Sequence, residues 1–161
     1  MARLSDLRFS YMLFMKAYPY RQYGWRPGGA PLRKPLREAR IAVVTTAALY
    51  RPDQKPFDET FRGGDFSWRE IPASTDLCTL RIAHKSDAFD DSGIVADKNV
   101  ALPLDRLREL AAERQIGSLH DRQFSFMGSI SAPSRLVKVT APEVAAALQG
   151  DGVDAVLLTP L

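Results

Sequence analysis

Two apolar runs in this chain end in hydroxyl residues. Arg40-Ile41-Ala42-Val43-Val44 leads into Thr45-Thr46, and Val153-Asp154-Ala155-Val156-Leu157-Leu158 leads into Thr159. In open α/β sheets ligands bind outside the carboxyl ends of the strands, so hydroxyls there could hydrogen-bond a substrate. Threonine also suits strand ends and local turns on its own account. The other residue types able to do chemistry are sparse. Cys78 is the single cysteine, outside any Cys-x-x-Cys pair, and it has no evident source of thiolate activation; a buried structural thiol is expected. Cys78, His84 and His120 lack the paired spacing of metal ligands, and the aspartates at 87, 90, 91 and 97 fit no EF-hand, so no metal site is expected. Phosphate-binding glycine loops and the nucleophile elbow are absent from the sequence.

The elements that must position these residues follow from composition and periodicity. With 161 residues, 45% hydrophobic and 25% charged, the chain suits one globular domain with a real core. The longest apolar run near the N-terminus, Tyr11 to Met15, is too short for a signal-peptide core or a membrane span, which points to a cytoplasmic protein without a membrane partner. Charge is uneven. Up to Arg40 there are nine basic residues against two acidic ones, net +7, while the remainder carries net −4. No nucleic-acid motif accompanies this arm, so it is expected to dock on an acidic protein partner or to fold onto its own acidic body.

Leu4, Leu7, Tyr11, Phe14 and Tyr18 recur at helical spacing, with Ser5 as N-cap. An irregular arm follows to Pro35, whose Tyr18, Tyr20, Tyr23 and Trp25 are expected to pack against the body or a subunit. Beyond the first strand, residues 50 to 72 form an irregular excursion around Gly63-Gly64, with short strands expected at Phe66 to Ile71 and Leu80 to Ile82. Pro103 opens an amphipathic helix over 104–115, with Gly117 just past its end. Phe124 to Gly128 is alternating or turn-like. Thr140-Ala141-Pro142-Glu143 reads as a capping box for a second helix over 142–149, which feeds the last strand. This order predicts an α/β fold: a partial parallel-sheet, Rossmann-like domain over 39–161, preceded by the helix and basic arm over 1–38. The strands at Ile41 to Thr45 and Val153 to Leu158 should be parallel neighbours, buried on both faces under the two helices.

Several stretches together resemble the selenoprotein B family of glycine, sarcosine, betaine and D-proline reductases, particularly its shorter members of D-proline reductase type. They are Lys34-Pro35-Leu36-Arg37-Glu38-Ala39-Arg40 with the strand after it, Gly64-Asp65-Phe66-Ser67-Trp68-Arg69-Glu70-Ile71-Pro72, His84, and Asp97-Lys98-Asn99-Val100. Further on they are Pro103 to Leu110, Phe124 to Gly128 and Asp151 to Pro160. Ala48 and Tyr50 depart from the pattern, standing where Gly and often His are expected.

The resemblance implies reductive cleavage of a carbon–nitrogen bond in D-proline, glycine, sarcosine or betaine, with a dithiol or thioredoxin-like reductant. It implies a selenocysteine nucleophile, ionised at neutral pH, attacking a substrate held as an iminium by a pyruvoyl group on a partner subunit. Thr45, Thr46 and Thr159 would line the site, with His84, Asp97 and Asn99 approaching from a loop to bind a substrate carboxylate or orient the selenolate. The redox residue is expected just after Leu161. A UGA codon there would be read as a stop, so the resemblance leads to the expectation that Leu161 is not the natural end. The competing expectation is a catalytically inert interaction module whose basic arm docks on a partner.

Overall fold

The computed structural model describes residues 9–17, 30–84 and 89–161. The chain divides into two compact units, Met1–Pro31 and Leu32–Leu161. In the first, helix α1 spans Phe9–Ala17, with Phe9 and Leu13 exposed. Leu4, Ser5, Leu7, Tyr18, Tyr20, Tyr23 and Trp25 lie outside the described residues.

The second unit is a mixed α/β domain built on strand β1 (Arg40–Thr45). On one side β1 pairs in parallel with β7 (Ala155–Thr159) over residues 41–45, as its two apolar runs predict. On the other side it pairs in parallel with two successive strands. β5 (Ser118–Leu119) meets Arg40 and Ile41, and β6 (Arg122–Phe126) meets Val44 and Thr45. Strand β3 (Trp68–Pro72) completes the sheet antiparallel to β6, while β2 (Leu49–Tyr50) and β4 (Arg81–Ile82) form a separate antiparallel ribbon.

Between β5 and β6 the chain steps out of the ladder at His120-Asp121, which would leave the middle of β1 without a partner on that side. The Gln123 side chain fills the gap: its Oε1 accepts the Val43 N–H at 2.6 Å, and its Nε2 donates to the His120 carbonyl. This amide is completely buried, so both bonds are shielded from water.

Alternate residues of β1 serve opposite faces. Ile41 and Val43 pack in one cluster with Ile94 of the short helix α2 (Ser92–Ala96) and Leu104 and Leu107 of helix α3 (Leu104–Ala112). Ala42 and Val44 join Phe124, Phe126, and Val144 and Leu148 of helix α4 (Ala141–Gly150). Helices thus cover both faces of β1, as a continuous apolar run in a parallel sheet requires.

Strand β7 does not share that burial. Val156, Leu157 and Leu158 are 39%, 41% and 67% exposed, against the expectation of burial on both faces. The cause is position: among the described residues β7 lies at a sheet edge, and the clusters under α3 and α4 are centred on β1 and β6.

Three local expectations also need correction. Thr140 has helical backbone (φ −74°, ψ −34°) and is the last residue of a π-helical turn over Leu136–Thr140, so it cannot act as an N-cap; its hydroxyl donates instead to the Phe66 carbonyl at 2.7 Å. Helix α3 ends at Ala112, and Arg114 makes the turn at φ 58°. Gly117 has a different task from capping: a Cβ there would lie 2.4 Å from the Glu38 carbonyl carbon, so only glycine lets the two chain segments touch. Finally, Cys78 is exposed on a 3-10 turn over Leu77–Thr79, not buried.

Part of the basic segment folds onto the domain's own acidic residues. Lys34 pairs with Asp154 at 2.8 Å, the Arg40 N–H donates to the same carboxylate at 2.7 Å, and the Arg40 guanidinium donates to the Asp151 carbonyl at 2.7 Å. Among the described residues no helix is long and apolar enough to cross a membrane.

Candidate functional site

The parallel pairing fixes where the hydroxyls fall. Thr45 is in register with Thr159 on one side and with Ser125 on the other, so three hydroxyl residues form one row across β7, β1 and β6 at the carboxyl edge. Two of them are engaged with backbone. The Thr159 hydroxyl donates to the Ala101 carbonyl at 2.7 Å. The Thr45 hydroxyl accepts from the Ala47 N–H at 3.2 Å and lies 3.4 Å from the Thr159 carbonyl. Ser125 is completely buried, and its Oγ has no hydrogen-bond partner among the described residues.

Thr46 works one step further out. Its N–H donates to the Thr159 carbonyl at 3.2 Å, continuing the ladder past the strand end. Its Oγ1 accepts from the Leu161 N–H at 2.9 Å and lies 3.2 Å from the Leu161 carbonyl. The hydroxyl therefore ties down the chain after β7 and holds it over the edge.

Gly128 is where these segments meet. After β6, Met127 bridges Ala47, and the chain turns through Gly128 and Ser129, the latter at φ 55°. A Cβ on residue 128 would stand 2.7 Å from His84 Nε2, 3.0 Å from the Thr46 carbonyl and 3.1 Å from the Leu161 carbonyl. The absence of a side chain lets the imidazole and the two strand ends approach one point. The His84 ring stacks on Phe89 at 3.9 Å, tilted by 16°. Burial pushes its pKa below the ordinary histidine value, with Glu59 acting the other way, which favours the neutral imidazole, able to donate or accept a hydrogen bond.

Of the residues singled out in the sequence, the structure brings His84 and Thr46 together around Gly128, with Thr45 and Thr159 directly behind. Asp97 and Asn99 are occupied elsewhere. The Asp97 carboxylate accepts the Asn99 N–H at 2.9 Å and its amide at 3.0 Å, capping a 3-10 turn over Lys98–Val100; these bonds hold its pKa below the usual carboxylate range. The Asn99 amide also bonds Asp105 Oδ2 at 2.9 Å, fastening that turn to the start of α3. Its link to the site is indirect, through the bond from Thr159 to Ala101.

His120 stands near the opposite end of β1, where its N–H donates to the Ile41 carbonyl; its ring is buried and its Nε2 lies 3.2 Å from Asp151. It shares no site with His84 or Cys78, and among the described residues no group of three or more His, Cys, Asp or Glu could hold a metal. An open pocket of about 560 Å³ lies beside β3, lined by Lys55, Asp58, Phe61, Asp65, Phe66 and Arg69 among others. Its Arg69 is committed to Lys55, Pro56, Ser67 and Trp68 and stacks 4.2 Å from the Phe57 ring centre.

Sequence reasoning missed Ser125 and Gly128 as parts of this edge. The signals were present: Phe124-Ser125-Phe126 alternates as a strand does, and a glycine follows it. Ala48, which replaces an expected glycine, adopts the left-handed φ of 53° that glycine takes at least cost, and Tyr50 is buried in β2.

Fold and edge together define an α/β domain whose strand ends carry hydroxyl and imidazole groups at the edge where open α/β sheets generally take their ligands. Residues 14–160 match the family model described as glycine/sarcosine/betaine reductase selenoprotein B, and the chain belongs to that family. It is 34% identical over 133 residues to D-proline reductase subunit gamma of Acetoanaerobium sticklandii, covering 83% of this chain and 53% of the relative. It is 31% identical over 129 residues to glycine reductase complex component B subunit gamma of Carboxydothermus hydrogenoformans, covering 80% of this chain and 29% of the relative. Betaine reductase complex component B subunit beta of Peptoclostridium acidaminophilum is 30% identical over 132 residues, with 81% and 29% covered. The chain thus spans about half the length of the first relative and under a third of the other two. No solved structure matches it.

Proposed function

We propose that this chain supplies one wall of the active site in a reductase complex that cleaves a carbon–nitrogen bond of an amino acid or amine of D-proline, glycine, sarcosine or betaine type. A dithiol supplies the two electrons. The carbon gains a hydrogen, the nitrogen leaves carrying a proton, and the dithiol closes to a disulfide. The observation that carries this reading is the family match over residues 14–160. The names of the relatives, a reductase subunit and two reductase-complex components, add the expectation of subunit partners; that one of them bears a pyruvoyl group is what the family resemblance implies.

In this reading the neutral His84 imidazole and the groups around Gly128 receive the polar end of the substrate at the carboxyl edge. Thr46 keeps the chain after β7 in place, and Thr45 and Thr159 shape the edge through their backbone bonds. Asp97 and Asn99 act at one remove, by holding the turn that anchors Thr159. The nucleophile is a selenocysteine or cysteine other than the exposed Cys78.

The test is reconstitution of the selenium-loaded complex with a pyruvoyl-bearing reductase subunit. Dithiol-dependent release of the reduced amine is expected, with His84→Asn lowering it at least tenfold. A complex that assembles but shows no dithiol-dependent turnover with any of the four substrate types would overturn the proposal.

A further inference from the structure

The edge of β7 is built unlike an edge that faces water. Sheet edges in contact with solvent are normally blunted by a charge, a proline or a bulge. Residues 155–159 contain none of these: the run is Ala-Val-Leu-Leu-Thr, regularly paired to β1 over its full length. Both faces are apolar as well. Val156 and Leu158 share the face covered by α4 at β1, and Leu157 shares the face covered by α3, yet all three stand exposed at 39%, 67% and 41%. Among the described residues β7 has β1 as its one strand neighbour.

The occupant must satisfy both features at once. A second copy pairing edge to edge about a twofold axis would make an antiparallel β7–β7 contact. That arrangement pairs the backbone but brings no helix over either face, because each copy's α3 and α4 are already placed over β1. A partner that adds a parallel strand with its own helices would bury the backbone edge, Val156 and Leu158 on one side and Leu157 on the other. The longer relatives have chain of that order to spare, since this chain spans 53% of one and 29% of two others.

We infer that the β7 edge is a docking surface for a second α/β segment, of the kind that longer family members carry outside the matched stretch, which extends the sheet by a parallel strand. The added strand would end beside Thr159, so the same partner would bring its own loop to the carboxyl edge. The inference rests on family membership and not on the chemistry proposed above, and binding is measured separately from turnover.

The experiment is co-expression of the 161-residue chain with the part of Acetoanaerobium sticklandii D-proline reductase subunit gamma that lies outside the matched stretch. The partner piece then does not have to fold alone. A one-to-one complex is expected on size-exclusion chromatography with light scattering, with amide exchange at Val156 to Leu158 slowed at least tenfold relative to the chain alone. Leu158→Asp, on a side chain that is 67% exposed, should leave the circular dichroism of the chain unchanged and abolish the complex. Three results would overturn the inference. They are failure of the two pieces to co-purify, a homodimer that protects β7, and a monomer in which those amides are already protected.

Discussion

Replacing Gln123 by methionine tests the plug that stands in for missing strand pairing at the centre of β1. The two side chains are similar in length and volume, so the change removes hydrogen bonding with little change in packing. It leaves two buried backbone groups without partners, the Val43 N–H and the His120 carbonyl. Each such loss costs about 1–3 kcal/mol, and the apolar side chain recovers part of it, so a net loss of about 3 kcal/mol is expected. Set against a total stability on the order of 5–15 kcal/mol, that is a large fraction. With a urea m-value of about 2 kcal/mol/M, the unfolding midpoint should fall by about 1.5 M at constant m, and the melting temperature by roughly 6–12 °C. Native-state hydrogen exchange adds a local readout, because the Val43 amide should lose protection beyond the global change. A Gln123→Met variant within about 0.5 kcal/mol of the parent, with Val43 still protected, would refute the claim that this amide carries the ladder across the gap.

Gly117→Ala should be more damaging than most surface changes, by about 3 kcal/mol or more, since its Cβ would sit 2.4 Å from the Glu38 carbonyl carbon and 2.7 Å from the Ala39 nitrogen, both backbone; urea denaturation measures it. Gly128→Ala meets one movable neighbour, His84, at 2.7 Å, so a milder loss of about 1–2 kcal/mol is expected, with the imidazole resonances of His84 displaced in NMR spectra. Thr46→Val should accelerate amide exchange at Leu161, whose N–H now bonds the hydroxyl at 2.9 Å, and cost about 0.5–1.5 kcal/mol at most. For pH, His84 is depressed by burial, and Asp154 is depressed by the Arg40 N–H and then by Lys34. Both stabilise fully above their unfolded values and lose that contribution as pH falls through the folded ones. The urea midpoint should therefore decline below about pH 6.5 and again below about pH 4, and His84→Asn should remove the first decline; a midpoint that rises on acidification would contradict it.

What the sequence discloses here depends on how far apart the cooperating residues lie. The parallel neighbours β1 and β7 are legible because each is a continuous apolar run, the pattern of a strand in a parallel sheet, although only β1 is buried on both faces. The bonds of Asp97 and Asn99 are legible as local turn chemistry, which competes with the binding role that the family pattern suggests. Strand β6 is harder to read, because Arg122 and Gln123 interrupt its apolar character. Gln123 is polar for a reason held by Val43, eighty residues away. The convergence on Gly128 is beyond sequence reasoning alone, since it joins residues 46, 84, 128 and 161 from four segments. Thr140 misleads in the opposite way: its capping-box spacing is real, but a helical turn before it uses the same residues as helix interior.

The central place of β1 also sets the order in which the molecule can assemble. Among the described residues no strand that pairs with β1 begins before Ser118, and the last of them bonds across a sequence separation of 114 residues. At ribosomal rates of about 5–20 residues per second, Ile41 to Val44 would wait on the order of ten seconds before any strand partner exists. Throughout that interval the run is an uncharged apolar segment guarded on one side by Arg40. Its early neighbours are the β2–β4 ribbon and helix α3, while helix α4 and the sheet itself come late. Slow, non-local closure of this kind favours capture by a holding chaperone during synthesis, and makes yield depend on translation rate and temperature more than on the stability of the finished domain.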